Sequence, residues 1–474
     1  MSDPTYALPT TPSSTPDEVG TCDSMAVALC NASLLGVGYL MLRRRGLALA
    51  AVAGAAGLVA GLVTTASPSY EVAVLVWWAA VVAHGWFLAR RGGGRSTVRR
   101  QRLVALGITL PVLLAVGLLR FDAFRIGRSV TEARESGDCA RVLTAQDRVW
   151  FGHRVADAPL TARGDEAVAA CYRLRTAGAE LSAALTGDTE ALADGFGTLA
   201  SVLAEDGNGK TVEATLNGFL GRLPAKDPCD TAAVTDWLRD RGRSHDVLDR
   251  AADTAALTAP AALVGCGDDL LADDSWEEAR TYYERLLDRY PGSGLTDRAQ
   301  KGAKKATVSI ELANVSNLLS AESGTQPEYC TSPAKYSGAK PMGKGTNPAL
   351  FYASDDAGSA SGYPKQFPRS WKAADAADAV LVVCMGEDTF GDSVETCPYR
   401  SESSGAVGYV SFHRIKIPVK VYELRTGRLV AHREIQISGT SCPPTIFTAE
   451  STVSMYVDPS KSDVRSAFRP LVVR

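Results

Sequence analysis

The sequence has no lysine before Lys210, only five histidines, and no two cysteines spaced as Cys-x-x-Cys. The missing lysines leave arginine as the only fixed cation upstream. With the abundant Ala and Gly, this points to a coding genome rich in G and C. The missing Cys-x-x-Cys spacing excludes zinc ribbons and thioredoxin-type redox motifs. His84, His153, His245, His413 and His432 are too scattered to form a metal site, and solvent-facing strand positions are expected for the last two. An excess of one charge sign is lacking too: a formal net charge of −3 predicts no general attraction for nucleic acid. Residues 1–24 hold neither Lys nor Arg, so the basic start of a signal peptide is absent and a disordered tail is expected there.

Long apolar runs, by contrast, crowd residues 25–119. Met25–Leu42, Leu47–Ala66, Val72–Leu88 and Leu103–Leu119 each contain no Asp, Glu, Lys or Arg. About 20 such residues cross a hydrocarbon layer about 30 Å thick, so four transmembrane helices are expected. The loops after the first and third runs carry Arg43, Arg44, Arg45, Arg90, Arg91, Arg95, Arg99, Arg100 and Arg102, whereas Ser67–Glu71 carries none. Arg120, Arg125, Arg128 and Arg134 follow the fourth run, four against nine. The arginine loops should therefore be cytoplasmic, which in a four-helix topology puts both termini outside a multi-pass cell-membrane protein. His84 is the one ionisable group inside the runs and Asn31 is merely polar, so an anchor is favoured over a transporter.

Eight of the ten cysteines follow the membrane segment: Cys139, Cys171, Cys229, Cys266, Cys330, Cys384, Cys397 and Cys442. An even number beyond the bilayer suits disulfides in an oxidising compartment. The spacing favours Cys139–Cys171 and Cys229–Cys266 among the helices, and Cys384–Cys397 with Cys330–Cys442 further on. Cys22 and Cys30 are not expected to bond, because eight residues of helix hold them about 12 Å apart.

Residues 137–319 read as amphipathic helices after a connection over 120–136. The clearest stretch is Pro260–Ser293, which includes "EARTYYERLLDRYPGS". Gly267 is followed by Ala279 and Tyr283, Pro291 closes the unit, and Leu263, Cys266 and Leu270 stand where larger anchors are usual. On these residues the stretch resembles a tetratricopeptide repeat, two antiparallel helices meeting at small residues. Ser275 and Glu278 form the pattern of a capping box. The resemblance implies an α-solenoid that binds a peptide or protein partner, and upstream helices must supply the further repeats a stack needs.

Residues 320–370 are rich in Gly, Ser, Pro and Lys and read as a long connection. Residues 371–474 then read as a small, mainly antiparallel β-domain, with strands over Ala379–Cys384, Tyr409–Leu424, Leu429–Ile437 and Thr452–Val457. Thr426-Gly427 supplies a hairpin turn, and a helix is expected near Trp371–Ala377. The order of parts resembles actinobacterial multi-pass envelope proteins with a repeat region and a Cys-bearing β-domain.

Catalytic motifs are incomplete. Ala204–Thr211, "AEDGNGKT", ends like a phosphate-binding loop but lacks its first Gly and a preceding strand, so it is an inter-helix turn. Gly358–Gly362, "GSASG", has Ala360 where a nucleophile elbow needs Ser. The acids Asp268, Asp269, Asp273, Asp274, Glu277 and Glu278 lack calcium-loop spacing and suit a helix start. The expectation is a non-enzymatic scaffold or sensor at the membrane, without cofactor or metal, that binds a protein or peptide in the cell envelope. The alternative is a hydrolase of an envelope polymer, for which Glu387, Asp388, Asp392 and Glu395 are the only carboxylate cluster to inspect.

Overall fold

The first apolar run does not form one helix. In the computed structural model, which describes residues 22–91, 99–320, 325–353, 355–448 and 453–474, it is divided into α1 (Ser24–Ala32) and α2 (Val37–Met41). Leu34 and Gly36 between them both take positive φ, at 62° and 64°. The remaining runs form α3 (Arg45–Thr65), α4 (Pro68–Arg91) and α5 (Arg99–Glu135). Most of the expected amino-terminal tail, and the loop around Arg95, lie outside the described residues.

Four described helices are long and apolar enough to cross a membrane: Arg45–Thr65, Ser69–Arg91, Arg99–Glu135 and Val247–Ala272. The fourth was not among the expected spans. Its residues Leu248, Ala251 and Ala255 are buried in a helical core with Leu238 and Phe219, as in a soluble bundle. The expected connection over 120–136 is absent as well, because α5 continues unbroken through Glu135. Beyond the apolar stretch its residues Ile126, Val130 and Ala133 pack against Val142 and Cys171.

Two compact units, residues 1–258 and 259–474, make up the chain. In the first, the membrane segment is followed by α6 (Cys139–Gln146), α7 (Phe151–Ala156), α8 (Ala158–Ala184), α9 (Thr189–Leu203), α10 (Gly209–Leu220) and α11 (Pro228–Asp240). Aspartates cap α6, α8, α9 and α11: Asp138, Asp157, Asp188 and Asp227 each accept a first-turn N–H. Leu181, Leu192, Leu199 and Leu216 form the fully buried centre. The "AEDGNGKT" segment is indeed the turn between α9 and α10. Gly207 there has φ 80°, and Arg134 donates to the Asp206 carbonyl at 2.6 Å and to Asn208 Oδ1 at 3.0 Å.

The second unit takes up part of α12 (Arg250–Ala272), then α13 (Trp276–Arg289) and α14 (Thr296–Leu319). Tyr283 is fully buried between two glycines: a Cβ on Gly267 would stand 2.8 Å from its ring and one on Gly302 only 2.4 Å away. Its hydroxyl donates to Asp268 Oδ1 at 2.6 Å, and Arg298 donates to Oδ2 of the same carboxylate at 2.5 Å. Burial first, and then the Asp268 carboxylate, push the Tyr283 hydroxyl far above the usual phenol range. Leu263 and Ala279 are also fully buried, whereas Leu270 is half-buried and Pro291 exposed in the turn before α14. No capping box forms, since the Ser275 side chain makes no cap bond.

The sheet contains β1 (Ala349–Ala353), β2 (Leu381–Met385), β3 (Thr389–Arg400), β4 (Val407–Glu423), β5 (Arg428–Ile437) and β6 (Ser454–Tyr456). β4 is its spine. β2 and β3 run end to end, antiparallel, along one edge of β4, while β5 (antiparallel) and β6 (parallel) follow the other. β1 adds in parallel outside β2, so the sheet is mixed rather than simply antiparallel. Every residue of β2 is buried because both faces are covered. Leu381, Val383 and Met385 face Phe468 and Val472 of α15 (Lys461–Val472), whereas Val382 and Cys384 face Val315 and Leu319 of α14.

The expected connection over 320–370 is instead built into the domain: Tyr329, Tyr336, Tyr363 and Phe367 are core residues, and "GSASG" lies in a 3-10 segment with Ala360 buried. No α-helix forms near Trp371–Ala377, where a 3-10 turn at Arg369–Trp371 places Trp371 in the core. Gly427 does serve the β4–β5 turn: it has φ 69°, and a Cβ there would stand 3.0 Å from the Ala334 carbonyl carbon.

Glu311 ties α14 to the segment before β1. It accepts the Ser337 N–H at 2.7 Å and lies 3.1 Å from Lys335 Nζ. Burial acts most strongly on its carboxyl and raises it, but the Ser337 bonds and the Lys335 charge together hold it below its ordinary value of 4.5. A carboxyl depressed by folding contributes stability above its unfolded pKa and loses it as pH falls through the folded one. Glu311→Gln should therefore lower the thermal midpoint at neutral pH, and the gap from wild type should close as pH drops below 4.5. A gap independent of pH would refute the ionic role.

Candidate binding surface

Two paired strands, β3 and the first half of β4, form an arm on the sheet. Nearly all of β3 is exposed. The arm turns at residues 401–406, where Ser401 N–H donates to the Ala406 carbonyl at 2.8 Å. Its inner face carries a small core of Cys397, Val410, Phe412 and Val457. The disulfide Cys397–Cys442 draws the segment 442–448 alongside, and the Tyr399 hydroxyl donates to the Pro443 carbonyl at 2.8 Å.

Between the arm's tip and that segment lies an open cleft of about 1190 Å³, lined by Tyr399, Arg400, Glu402, Val407, Pro444 and Phe447 among others. Phe447 is 96% exposed and Val407 53%, and Tyr409, two positions along β4 from Val407, is 67% exposed. Large apolar side chains held in water beside an edge strand are what an extended peptide engages, through backbone bonds and alternate side-chain pockets. Ion pairs lie further down the arm, away from its tip: Asp392 is 3.8 Å from Arg414, and Lys416 is 3.7 Å from Glu434.

The carboxylate cluster between Cys384 and Cys397 is spread over this arm. Glu395 accepts the Ser441 hydroxyl at 2.6 Å, and Asp392 is with Arg414. Glu387 and Asp388 occupy the break between β2 and β3 beside Tyr456, whose hydroxyl donates to the Asp388 carbonyl at 3.3 Å. Burial, then the charges of Asp388 and Glu387, raise the Tyr456 hydroxyl. One cluster has ligand-like spacing, Glu395 with Cys397 and Cys442, but both sulfurs are bound to each other and offer no thiolate to a metal.

The histidines do not gather. His413 Nδ1 is 3.0 Å from the Gly391 carbonyl, and its ring packs on Phe390 at 5.2 Å. His432 faces Lys420 across the β4–β5 pair, far along β4 from His413. His84, on α4, lies 2.9 Å from the Tyr39 hydroxyl of α2. His153 is buried and sits 3.1 Å from Asp122 Oδ2.

The cysteines separate cleanly. Cys139–Cys171 forms as expected, joining α6 to α8, and Cys229 and Cys266 are disulfide-bonded as well. In the sheet domain the pairs are Cys330–Cys384 and Cys397–Cys442, not the expected Cys384–Cys397 and Cys330–Cys442. Cys384 belongs to the sheet face covered by α14 and Tyr329, whereas Cys397 is thirteen positions on, in the arm's own small core. Cys22 and Cys30 are free.

Sequence reasoning missed Tyr399, Val407 and Phe447. Charged residues on both faces of β3 leave no alternating pattern to mark that strand, and the expected pairing of Cys384 with Cys397 kept Cys442 and its segment apart from it.

These features define the chain's class: a disulfide-bonded membrane protein with a helical amino-terminal region and a carboxy-terminal mixed-sheet domain. No family model, curated protein or solved structure matches it.

Proposed function

We propose that the chain is a membrane-anchored scaffold or sensor whose extracytoplasmic part binds a protein or peptide partner in the cell envelope. The cleft beside the β3–β4 arm carries this reading, because it offers exposed aromatic and apolar anchors next to a strand edge. The arginines at one end of α3, α4 and α5 are cytoplasmic, and the disulfide-bonded portion after α5 lies outside. The helices around Tyr283 are a tetratricopeptide-like unit that positions the sheet domain through α14. The hydrolase alternative has only dispersed carboxylates behind it.

Photo-crosslinking amino acids at Phe447 and Tyr409, in intact cells, should each trap a discrete adduct, and one at Leu257, exposed on α12, should not. Equal, diffuse labelling from all three sites would refute a partner at the cleft.

A further inference from the structure

We infer that α1 and α2 form a re-entrant hairpin, so that residue 22 lies on the same side of the membrane as the arginines at the starts of α3 and α5, and the bundle crosses three times rather than four. Cys22 Sγ donates to the Met41 carbonyl at 3.4 Å, although 19 residues separate them. A continuous helix would hold those positions about 28 Å apart. Asp23 is anchored at the same end: its backbone N–H donates to Gln101 Oε1 at 3.0 Å and Arg102 Nε donates to its carboxylate at 2.5 Å. Both Gln101 and Arg102 lie in the first turn of α5, and Arg44, just before α3, donates its N–H to the Tyr39 carbonyl at 3.0 Å.

The lengths agree. α1 has nine residues, about 13.5 Å of helix, against about 30 Å of hydrocarbon. Its end therefore falls inside the layer, where each unmatched carbonyl costs several kcal/mol. All four of its last carbonyls are matched from outside the regular helix ladder. Thr109 of α5 donates its hydroxyl to the Leu29 carbonyl at 2.6 Å, and the Ser33 hydroxyl donates to Cys30 at 2.7 Å. Leu34 N–H donates to Asn31 at 3.0 Å, and Trp78 Nε1 of α4 donates to Ala32 at 3.0 Å. Asn31 Nδ2 in turn donates to the Val81 carbonyl at 3.3 Å. Thr109 and Val81 each lie about 15 Å along their helices from the arginine-bearing ends, the depth at which α1 stops. Gly38 and Gly85 admit the turn, since a Cβ on either would stand 2.4 Å or 2.1 Å from the Asn31 amide.

The inference concerns which side residue 22 shares, and it stays separate from the proposal that this side is cytoplasmic. The test uses the full chain in cells, with Cys22→Ser and Cys30→Ala removing the free thiols, an epitope tag before Met1, and single reactive cysteines at Arg44→Cys or Ser67→Cys. A membrane-impermeant maleimide and an antibody are applied before and after permeabilisation. The tag and Arg44→Cys should be detected only after permeabilisation, and Ser67→Cys before it. A tag detected together with Ser67→Cys, opposite to Arg44→Cys, would overturn the hairpin. A tag that follows Arg44→Cys, with both detected from outside, would keep the hairpin and overturn the cytoplasmic assignment. As an independent readout, Trp78→Phe and Thr109→Val should each lower thermal stability in detergent micelles. A helix crossing in one piece would satisfy those carbonyls itself and leave both variants at the wild-type midpoint.

Discussion

Tyr283→Ala should destabilise the second unit by about 3–5 kcal/mol, the range for emptying a buried aromatic site. The ring is fully buried, so its loss leaves a cavity that the Gly267 and Gly302 backbones cannot fill. For a unit of this size roughly 2–4 °C accompanies each kcal/mol, so the midpoint of the full chain in micelles should fall on the order of 10 °C. Tyr283→Phe separates ring from hydroxyl. It keeps the packing and removes the donor to Asp268, which Arg298 still neutralises, so about 1 kcal/mol is expected. Gly302→Leu attacks the same slot from α14 and should cost about 1–3 kcal/mol by overpacking. Circular dichroism melts check all three. A Tyr283→Ala variant that melts with wild type would show that this helix crossing contributes nothing to the unit.

Cys384→Ser should cost about 2–4 kcal/mol, and more than Cys442→Ser. The loops closed are similar, with separations of 54 and 45 residues, so the chain-entropy parts differ by only about 0.2 kcal/mol. Surroundings decide the order. Cys330 and Cys384 are both buried against Tyr329 and Tyr422, so a serine there leaves a polar group in the core between α14 and the sheet. Cys442 is only half-buried at the edge of the cleft. Denaturant titrations of both variants measure the difference. Loss of Cys397–Cys442 should instead free the segment bearing Phe447, weakening partner crosslinking more than stability. If Cys442→Ser proved the more destabilising variant, the cleft segment rather than the α14–sheet interface would be the structural keystone.

How far these features could be read from the chain varied with how local their causes were. β2, β4, β5 and β6 were legible because their apolar residues are contiguous or alternate, and the Gly427 turn was legible because its backbone conformation demands glycine. β3 and β1 were not. β3 draws its pairing from β4 while exposing both faces, and β1 lies in a stretch whose composition reads as loop. α15 was missed despite local signals: the reciprocal Ser460–Asp463 box, and Val464, Phe468 and Leu471 along one face. Pro470 inside the helix obscures them.

By itself the sequence determined that the chain carries apolar helices long enough to cross a membrane and an even set of later cysteines able to pair, because hydropathy and cysteine count are properties of the chain before it folds. Only the tertiary structure decided which cysteines of the sheet domain meet, that residues 325–370 supply core side chains rather than a bare connection, and that the first apolar run turns back at Leu34 and Gly36. Hydropathy counts apolar residues along the chain. A reversal at Leu34 and Gly36 becomes visible only when Thr109 and Trp78, distant in sequence, are seen to satisfy the carbonyls it leaves behind.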